Sequence, residues 1–415
     1  MARRERNRVV VGAVAVLILA LAVYGPVALL APLPAADGVA VSAESVPSES
    51  APVVALSADG ASAVTLSADA APLTAGTADP IPMAASAKLV TALVVLEQYP
   101  LIEGRAGPAI PVTAHDFAAY SRYQAEGTKA VRVVPGDQWS ERETLQATLI
   151  ASSNNHAEML ARWAFGTMDG YLEAATAWLA EHGLDGTRVA DATGLSAESV
   201  STGTDLARLA ALAMADPLVG EIVATPSATT LRGLDFENTI SYRTAQGLLG
   251  ISRSYTDEAG VVLLFAYEAE VTGGSATVYG AFAGEPSYDS LDADVSALLA
   301  SLPTALALQP VVVAGKSYGT FTTQWDQRVD AVAEVDLFGI GWNGVDPGAS
   351  VAVELEELTV GRKGREVGRV VAETLVGEQS SPLVLAETVG DPGPVWRLLH
   401  PGVMVPGFLD MVSSD

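Results

Sequence analysis

The chain has 415 residues, with 23 Lys and Arg against 49 Asp and Glu, so its formal net charge is −26. Hydrophobic residues make up 49% and charged residues 17%, which supports a folded core and excludes global disorder. The acidic balance argues against nucleic acid as a partner, because phosphate binding needs a basic surface, and the absence of cysteine excludes disulfides, thiolate nucleophiles and zinc–thiolate sites.

The first predicted element is an apolar segment behind a basic N-terminus. Residues 1–8 read MARRERNR, and residues 9–31 carry no charged side chain. As a helix this run would be about 34 Å long, enough to cross a hydrocarbon core of about 30 Å. The arginines predict a cytoplasmic tail, a single transmembrane helix over 9–31 and exported main domains. The alternative is a signal peptide cleaved near residues 34–36.

A linker and a large mixed domain are predicted next. Residues 32–52 are rich in Ala, Ser, Pro and Glu and lack periodicity, as is typical of a linker. The domain spans 53–303. Its predicted strands are 53–57, 63–67, two within 248–270 and 276–282, and its predicted helices are 84–98, 144–164, 169–182, 204–214 and 292–302. Asp59-Gly60 suggests a hairpin between the first two strands.

The pattern changes after Pro303. Short β-rich runs at 311–313, 331–338, 351–358 and 370–375 are separated by turn sequences. They predict a second, β-rich domain over residues 308–415.

Three short stretches at wide spacing carry the functional argument. They read ASAK at residues 85–88, SSN at 152–154 and SRS at 252–254. In order and in flanking sequence they resemble the S-x-x-K, S-x-N and K-T-G motifs of the serine D,D-peptidases, the superfamily of penicillin-binding proteins and β-lactamases. The likeness is closest to the D-alanyl-D-alanine carboxypeptidases and covers about residues 51–302.

The resemblance implies a fold class and an environment. The expected fold is α/β (α+β), a β-lactamase/transpeptidase-like domain in which helices flank a sheet beside a helical subdomain. A small C-terminal β domain also fits this group. The implied setting is the cell envelope, and the implied substrate is the peptidoglycan stem peptide.

The first stretch departs from the motif at its nucleophile. Lys88 matches the motif lysine, but the position three residues earlier is Ala85. Ser86 is a poor substitute, because residues two apart on a helix point about 160° away from each other. Only a one-residue bulge would turn Ser86 toward Lys88.

The second stretch is intact. The resemblance implies that Ser152 takes part in proton shuttling and that Asn154 donates to a substrate amide. The plainer interpretation is a polar helix N-terminus with a serine cap. Lys88, having lost its serine, is expected to hydrogen-bond Ser152 and Asn154 as a structural remnant.

The third stretch is altered throughout. Ser252, Arg253 and Ser254 replace the motif's Lys, Thr and Gly, on a strand that the resemblance places along the cleft as a substrate-binding element. Arg253 could restore the positive charge. Alternate strand positions face opposite ways, so its direction is open.

These changes predict a catalytically deficient homologue, because acyl transfer needs an oxygen nucleophile and alanine has none. The expected role is binding or regulation in peptidoglycan metabolism, with a stem peptide or an envelope protein as partner. The alternatives are an active carboxypeptidase using Ser86 or Ser152, a hydrolase of different chemistry, and an envelope protein whose cleft is irrelevant. No cofactor is expected, because neither a Walker A loop nor a dinucleotide fingerprint occurs, and no pair of histidines has metal-ligand spacing.

Overall fold

The structure is a computed structural model, which describes residues 18, 22–41, 53–102, 104–230, 233–271, 274–343, 345, 349–375 and 377–413. The chain forms two compact units. The larger unit comprises residues 49–307 with 341–344, and the smaller unit comprises 1–48, 308–340 and 345–415. The domain limits expected from the sequence stay predictions.

The elements are numbered in chain order. The helices are α1 (residues 22–30), α2 (Ala87–Gln98), α3 (Ala114–Ala125), α4 (Glu141–Leu149), α5 (Asn154–Phe165), α6 (Met168–Glu181), α7 (Gly203–Ala215), α8 (Pro217–Ala224), α9 (Tyr288–Ala305), α10 (Pro394–Leu399) and α11 (Pro401–Ser413). The strands are β1 (Asp37–Ala40), β2 (Ala61–Thr65), β3 (Leu73–Gly76), β4 (Ile81–Pro82), β5 (Ala109–Pro111), β6 (Gln138–Ser140), β7 (Val200–Ser201), β8 (Ser227–Thr229), β9 (Asp235–Glu237), β10 (Leu248–Thr256), β11 (Gly260–Val271), β12 (Gly274–Glu285), β13 (Leu306–Val312), β14 (Ser317–Thr322), β15 (Arg328–Ala333), β16 (Leu337–Trp342), β17 (Ser350–Leu355), β18 (Glu366–Thr374) and β19 (Gly377–Leu385).

A five-stranded antiparallel sheet forms the frame of the larger unit, in the order β10-β11-β12-β2-β3. Successive residues of a strand face opposite sides of a sheet. Val262, Leu264 and Ala266 of β11 therefore share one core with α2, α5 and α7, while α9 packs against β11 and β12 outside that core. Strand β10 is at the edge of the sheet, which leaves it free to line a cleft.

Helix α2 lies at the centre of the helical layer. Every residue from Ala87 to Leu96, mostly Ala, Leu and Val, is buried, so this part of the helix has no solvent-exposed face. Thr91 fixes it further, since its hydroxyl lies 2.8 Å from the Tyr171 hydroxyl and donates to the carbonyl of Ala192 at 2.9 Å. The N-terminal part of α2, which carries Lys88 and Thr91, is thereby held in place beside β10.

Several predicted elements differ from the structure. The helix expected over 144–164 is two helices, because Ser152 adopts a positive φ of 53° between α4 and α5. The helix expected over 292–302 extends from Tyr288 to Ala305 with Pro303 inside. Residues 53–57 form no strand, so the expected hairpin is wrong, and β2 pairs with β12 and β3 instead. The run 331–338 is divided between β15 and β16.

The smaller unit contains a six-stranded antiparallel sheet in the order β1-β14-β15-β19-β18-β17. The prediction that 32–52 is a linker is wrong for residues 37–40, which form β1 and pair with β14. This C-terminal part of the chain is not all β, since α10 and α11 follow the sheet. Met404 of α11 is buried with Ala28 of α1 and Ala31, so the N- and C-terminal segments of this unit share a core.

The expected membrane span falls mostly outside the described residues, which include only residue 18 and residues 22–31 of 9–31. The predicted tail over 1–8 lies outside them entirely. Among the helices that the structure describes, none combines the length and apolarity needed to cross a bilayer.

Candidate functional site

The larger unit contains a cavity of about 340 Å³, here called the cleft, into which all three motif stretches contribute. The residues from those stretches that line it are Ala85, Lys88, Ser152, Asn154, Arg253 and Ser254. Ser86 and Ser252 are buried behind it. One residue of the first stretch and one of the third are thus kept out of the lining of the cleft.

The first stretch enters the cleft through a 3₁₀ turn over Ala84–Ser86, before α2 begins. Ala84 has a φ of 46°, a conformation that non-glycine residues rarely adopt. Gly194 packs against it so closely that a Cβ there would lie 1.7 Å from the Ala84 carbonyl oxygen. This turn directs Ala85 into the cleft. Ser86 is fully buried, and its hydroxyl donates to the Ser252 hydroxyl at 3.3 Å.

Lys88 brings a buried amine to the floor of the cleft. Its side chain is 4% exposed, and Nζ donates to the carbonyl oxygen of Thr193 at 2.9 Å. The expectation that Lys88 bonds Ser152 and Asn154 is wrong, because the backbone carbonyl is its acceptor. Burial lowers the pKa of Lys88 to about 7; Asp191 opposes this effect and Lys129 adds to it.

The second stretch occupies the break between α4 and α5. Ser152 lines the cleft with its backbone in the left-handed region, and Asn154 is the first residue of α5. The backbone N–H of Asn154 donates to the Lys129 carbonyl at 2.9 Å, and the N–H of Val131 donates to Ser153 Oγ at 3.1 Å. These bonds hold the loop before β6 against the helix and bring Lys129 to the cleft.

The third stretch lies on β10, as the resemblance implied. Ser254 accepts a hydrogen bond from the backbone N–H of Ala85 at 3.2 Å. Arg253 lines the cleft as well, and its guanidinium lies 5.4 Å from the ring centre of Tyr242 and 5.9 Å from that of Tyr288. Cation–π contacts of this kind favour a fixed side-chain position.

Lys129 is a site residue that the motif analysis missed. Its Nζ donates to Thr239 Oγ1 at 2.9 Å, and its pKa is lowered by burial and then by the charge of Arg253. Its rarity was a usable signal, since the chain has only four lysines. The cleft thus holds Lys88, Lys129 and Arg253, and no carboxylate lines it in the described part of the chain.

This arrangement favours an anionic ligand. The cationic side chains of Lys129 and Arg253, the Lys88 amine and several hydroxyl-bearing residues line one small cavity in a protein whose net charge is strongly negative. A metal site is not apparent, because no cluster of three or more potential ligands occurs among the described residues.

Comparisons with known proteins agree with the geometry. The family model described as "D-alanyl-D-alanine carboxypeptidase" matches residues 49–277, more than half of the chain. A D-alanyl-D-alanine endopeptidase from Pseudomonas aeruginosa is 34% identical over 146 residues, which are 35% of this chain and 44% of that protein. One from Escherichia coli is 29% identical over 189 residues, 44% of this chain and 57% of that protein. The matched regions therefore span about half the length of these relatives.

A solved structure extends the similarity of fold beyond the matched sequence. Penicillin-binding protein 6B from Escherichia coli aligns with a TM-score of 0.58 at 16% identity, covering 83% of this chain and all of that one. The fold class expected from the motifs is thereby confirmed, and so is the superfamily. On the evidence of the family model and the shared fold, the chain belongs to the Peptidase_S11 family of D-alanyl-D-alanine carboxypeptidase-like proteins.

Proposed function

We propose that this protein is a catalytically deficient D-alanyl-D-alanine carboxypeptidase homologue, which binds peptidoglycan stem peptides in its cleft and has a binding or regulatory role in the cell envelope. The observation that carries the proposal is the methyl group of Ala85 in the cleft, one helical turn before Lys88, with the Ser86 hydroxyl buried against Ser252.

The missing oxygen alone argues against acyl transfer. A serine peptidase forms its covalent intermediate through a side-chain oxygen that a base activates. Removal of such a serine from another hydrolase lowers kcat by about 10⁶. Ala85 lacks that oxygen, and Ser86 has its hydroxyl committed to Ser252 at 3.3 Å.

A second change affects the stabilisation of charge. Acyl transfer also requires backbone N–H groups that are free to bind the developing oxyanion. The N–H of Ala85 is the donor at the nucleophile position, and Ser254 Oγ already accepts from it. The family motif has glycine where this chain has Ser254, and a glycine has no side-chain oxygen that could accept from the Ala85 N–H.

The retained groups fit a peptide that ends in a carboxylate. Arg253 and Lys129 supply positive charge, and an arginine held over aromatic rings is well placed for a carboxylate. Asn154, also in the cleft, offers an amide that can pair with the ligand backbone. Recognition of a stem-peptide terminus therefore needs no catalytic serine.

Isothermal titration tests this binding. A peptide ending in D-Ala-D-Ala is expected to bind at millimolar or lower concentration, and the same peptide with an amidated C-terminus is expected to bind about tenfold more weakly. The variant Arg253→Met should lose most of that difference. Absence of heat with the free acid, or equal binding of acid and amide, would contradict the proposal.

An active carboxypeptidase is the alternative, and one observation favours it. Ser152 lines the cavity that also contains Lys88, so a serine other than Ser86 is available there. Labelling with a fluorescent penicillin separates the two functions. We expect no labelled serine, whereas covalent labelling that disappears in Ser152→Ala or Ser86→Ala would establish an active enzyme.

The proposal includes a membrane anchor over residues 9–31, supported by the uncharged run behind the N-terminal arginines. The full chain is expected to stay with the membrane fraction after alkaline carbonate washing. N-terminal sequencing of the mature protein tests the alternative. A new terminus near residue 36 would show a cleaved signal peptide and contradict the anchor.

A further inference from the structure

Ala85 occupies the position of the motif's serine, so Lys88 lacks that partner, yet its side chain still lines the cleft. We propose that Lys88 is a reactive amine, and that the cleft takes a small oxo acid whose carbonyl group condenses with Lys88 while its carboxylate lies against Lys129 and Arg253. This rests on the proposed function only in using the same anion-binding cleft.

The surroundings of the amine fit a nucleophile. Among the described residues Lys88 has no carboxylate partner in ion-pair distance, and its one hydrogen bond is to the Thr193 carbonyl at 2.9 Å. A neutral amine that donates one N–H to this carbonyl keeps its lone pair for another direction. The methyl of Ala85 cannot hydrogen-bond that lone pair, whereas a serine hydroxyl could.

Burial supports the neutral form of the Lys88 amine. A lysine amine becomes nucleophilic when it is desolvated or next to another cation, and Lys88 satisfies both conditions. It is 4% exposed where it lines the cleft, and burial lowers its pKa most; the charge of Asp191 raises that pKa, and the charge of Lys129 lowers it. At neutral pH a substantial fraction of Lys88 therefore carries no proton.

The anion-binding groups select the class of carbonyl compound. Lys129 and Arg253 line the same 340 Å³ cavity as Lys88, so a compound that carries both a carbonyl group and a carboxylate finds the amine and the two cations in one cavity. A neutral aldehyde would gain nothing from the two cations.

The reaction balances without a further reactant. The amine nitrogen attacks the carbonyl carbon, a C–N bond forms, and a proton moves from nitrogen to the former carbonyl oxygen. Loss of the resulting hydroxyl group with a second proton from nitrogen releases one water and leaves an imine. No atom changes its oxidation level overall.

Reductive trapping of the full-length protein tests the proposal. The protein is incubated with glyoxylate and cyanoborohydride, and the adduct is located by intact mass and peptide mapping. The expected result is one adduct on Lys88, formed about tenfold faster than on the exposed Lys363 of the smaller unit. The rate on Lys88 should rise as the pH passes through about 7, as the amine loses its proton.

Matched variants separate the amine from the anion site. Lys88→Met should abolish the adduct, and Lys363→Met should leave it unchanged. Arg253→Met and Lys129→Met should still react with propanal, a neutral aldehyde, but should lose the preference for glyoxylate. Circular dichroism of each variant confirms that it is folded.

The contrary results are equally specific. An adduct spread evenly over the lysines, or one that persists in Lys88→Met, would overturn the assignment of the amine. Equal rates with glyoxylate and propanal would overturn the oxo-acid site. Peptide binding without trapping would refute this inference alone, and trapping without peptide binding would refute only the proposed function.

Discussion

At the scale of single residues, the departures from the family motifs are paired by hydrogen bonds. Ser86 bonds Ser252, and the backbone of Ala85 bonds Ser254, so two positions before α2 each contact a changed position on β10. The two serines on β10 make these contacts possible, because a hydroxyl oxygen can accept from another hydroxyl or from a backbone N–H. These hydrogen bonds therefore hold the turn that precedes α2 against β10.

This pairing predicts the outcome of restoring the nucleophile. Ala85→Ser alone is expected to give no acylation by fluorescent penicillin, because Ser254 still occupies the backbone N–H that an oxyanion needs. Ala85→Ser combined with Lys-Thr-Gly at 252–254 should recover labelling. Ser254→Gly alone serves as the control and should stay unlabelled. Full labelling of the single variant Ala85→Ser would show that the donor is not blocked.

At the scale of the secondary-structure elements, the start of α4 carries an unusual carboxyl group. Glu141 is fully buried and neither of its carboxyl oxygens has a hydrogen-bond partner. Burial raises its pKa to about 7. The neighbouring capping box of Ser140 and Glu143 satisfies the helix N-terminus, so Glu141 is not needed as a cap.

The raised pKa predicts a pH-dependent gain from Glu141→Gln. In the unfolded chain this carboxyl ionises near 4.5, so wild-type stability falls between about pH 4.5 and 7 and is then level. The variant avoids this loss and should be more stable by about 3 kcal/mol at pH 8, with no gain at pH 4. Urea unfolding across pH measures it.

Glu97→Gln is the matched control for that measurement, because Glu97 is exposed at the end of α2 and should change stability little at any pH. A gain from Glu141→Gln that is the same at pH 4 and pH 8 would contradict the assignment to ionisation. It would point instead to a general difference in packing.

At the scale of the whole molecule, the charge of the cleft opposes the charge of the chain. The net charge is −26, yet the cleft presents the cationic side chains of Lys129 and Arg253 beside the Lys88 amine. Distant acidic groups repel an anionic ligand through solvent, where salt screens them, while the cations of the cleft act at short range and are screened less. The two effects therefore respond differently to ionic strength.

This difference predicts the salt dependence of peptide binding. Raising the ionic strength from about 0.02 to 0.2 M shortens the screening length severalfold and should leave the affinity for a D-Ala-D-Ala peptide unchanged or improved. Titration at both salt concentrations measures it, with the amidated peptide as the uncharged control. A tenfold loss of affinity would indicate that binding depends on attraction at an exposed surface.

Much of the larger unit could be predicted from local sequence. Strands β10 and β11 follow from two apolar runs around a turn, and α2, α6 and α7 follow from long apolar stretches without glycine or proline at their centres. The break at Ser152 could not be predicted in this way. Its left-handed backbone depends on contacts from elsewhere, such as the bond between Ser153 and the loop before β6.

The sequence by itself determined the family resemblance, the missing oxygen at Ala85 and the acidic character of the chain, because these depend only on which residue occupies each position. The tertiary structure decided which side chains meet. It turned Ser86 away from the cleft, gave Lys88 a backbone carbonyl as its partner, and brought Lys129 beside Arg253. These outcomes depend on contacts between residues more than a hundred positions apart, and no local pattern encodes them.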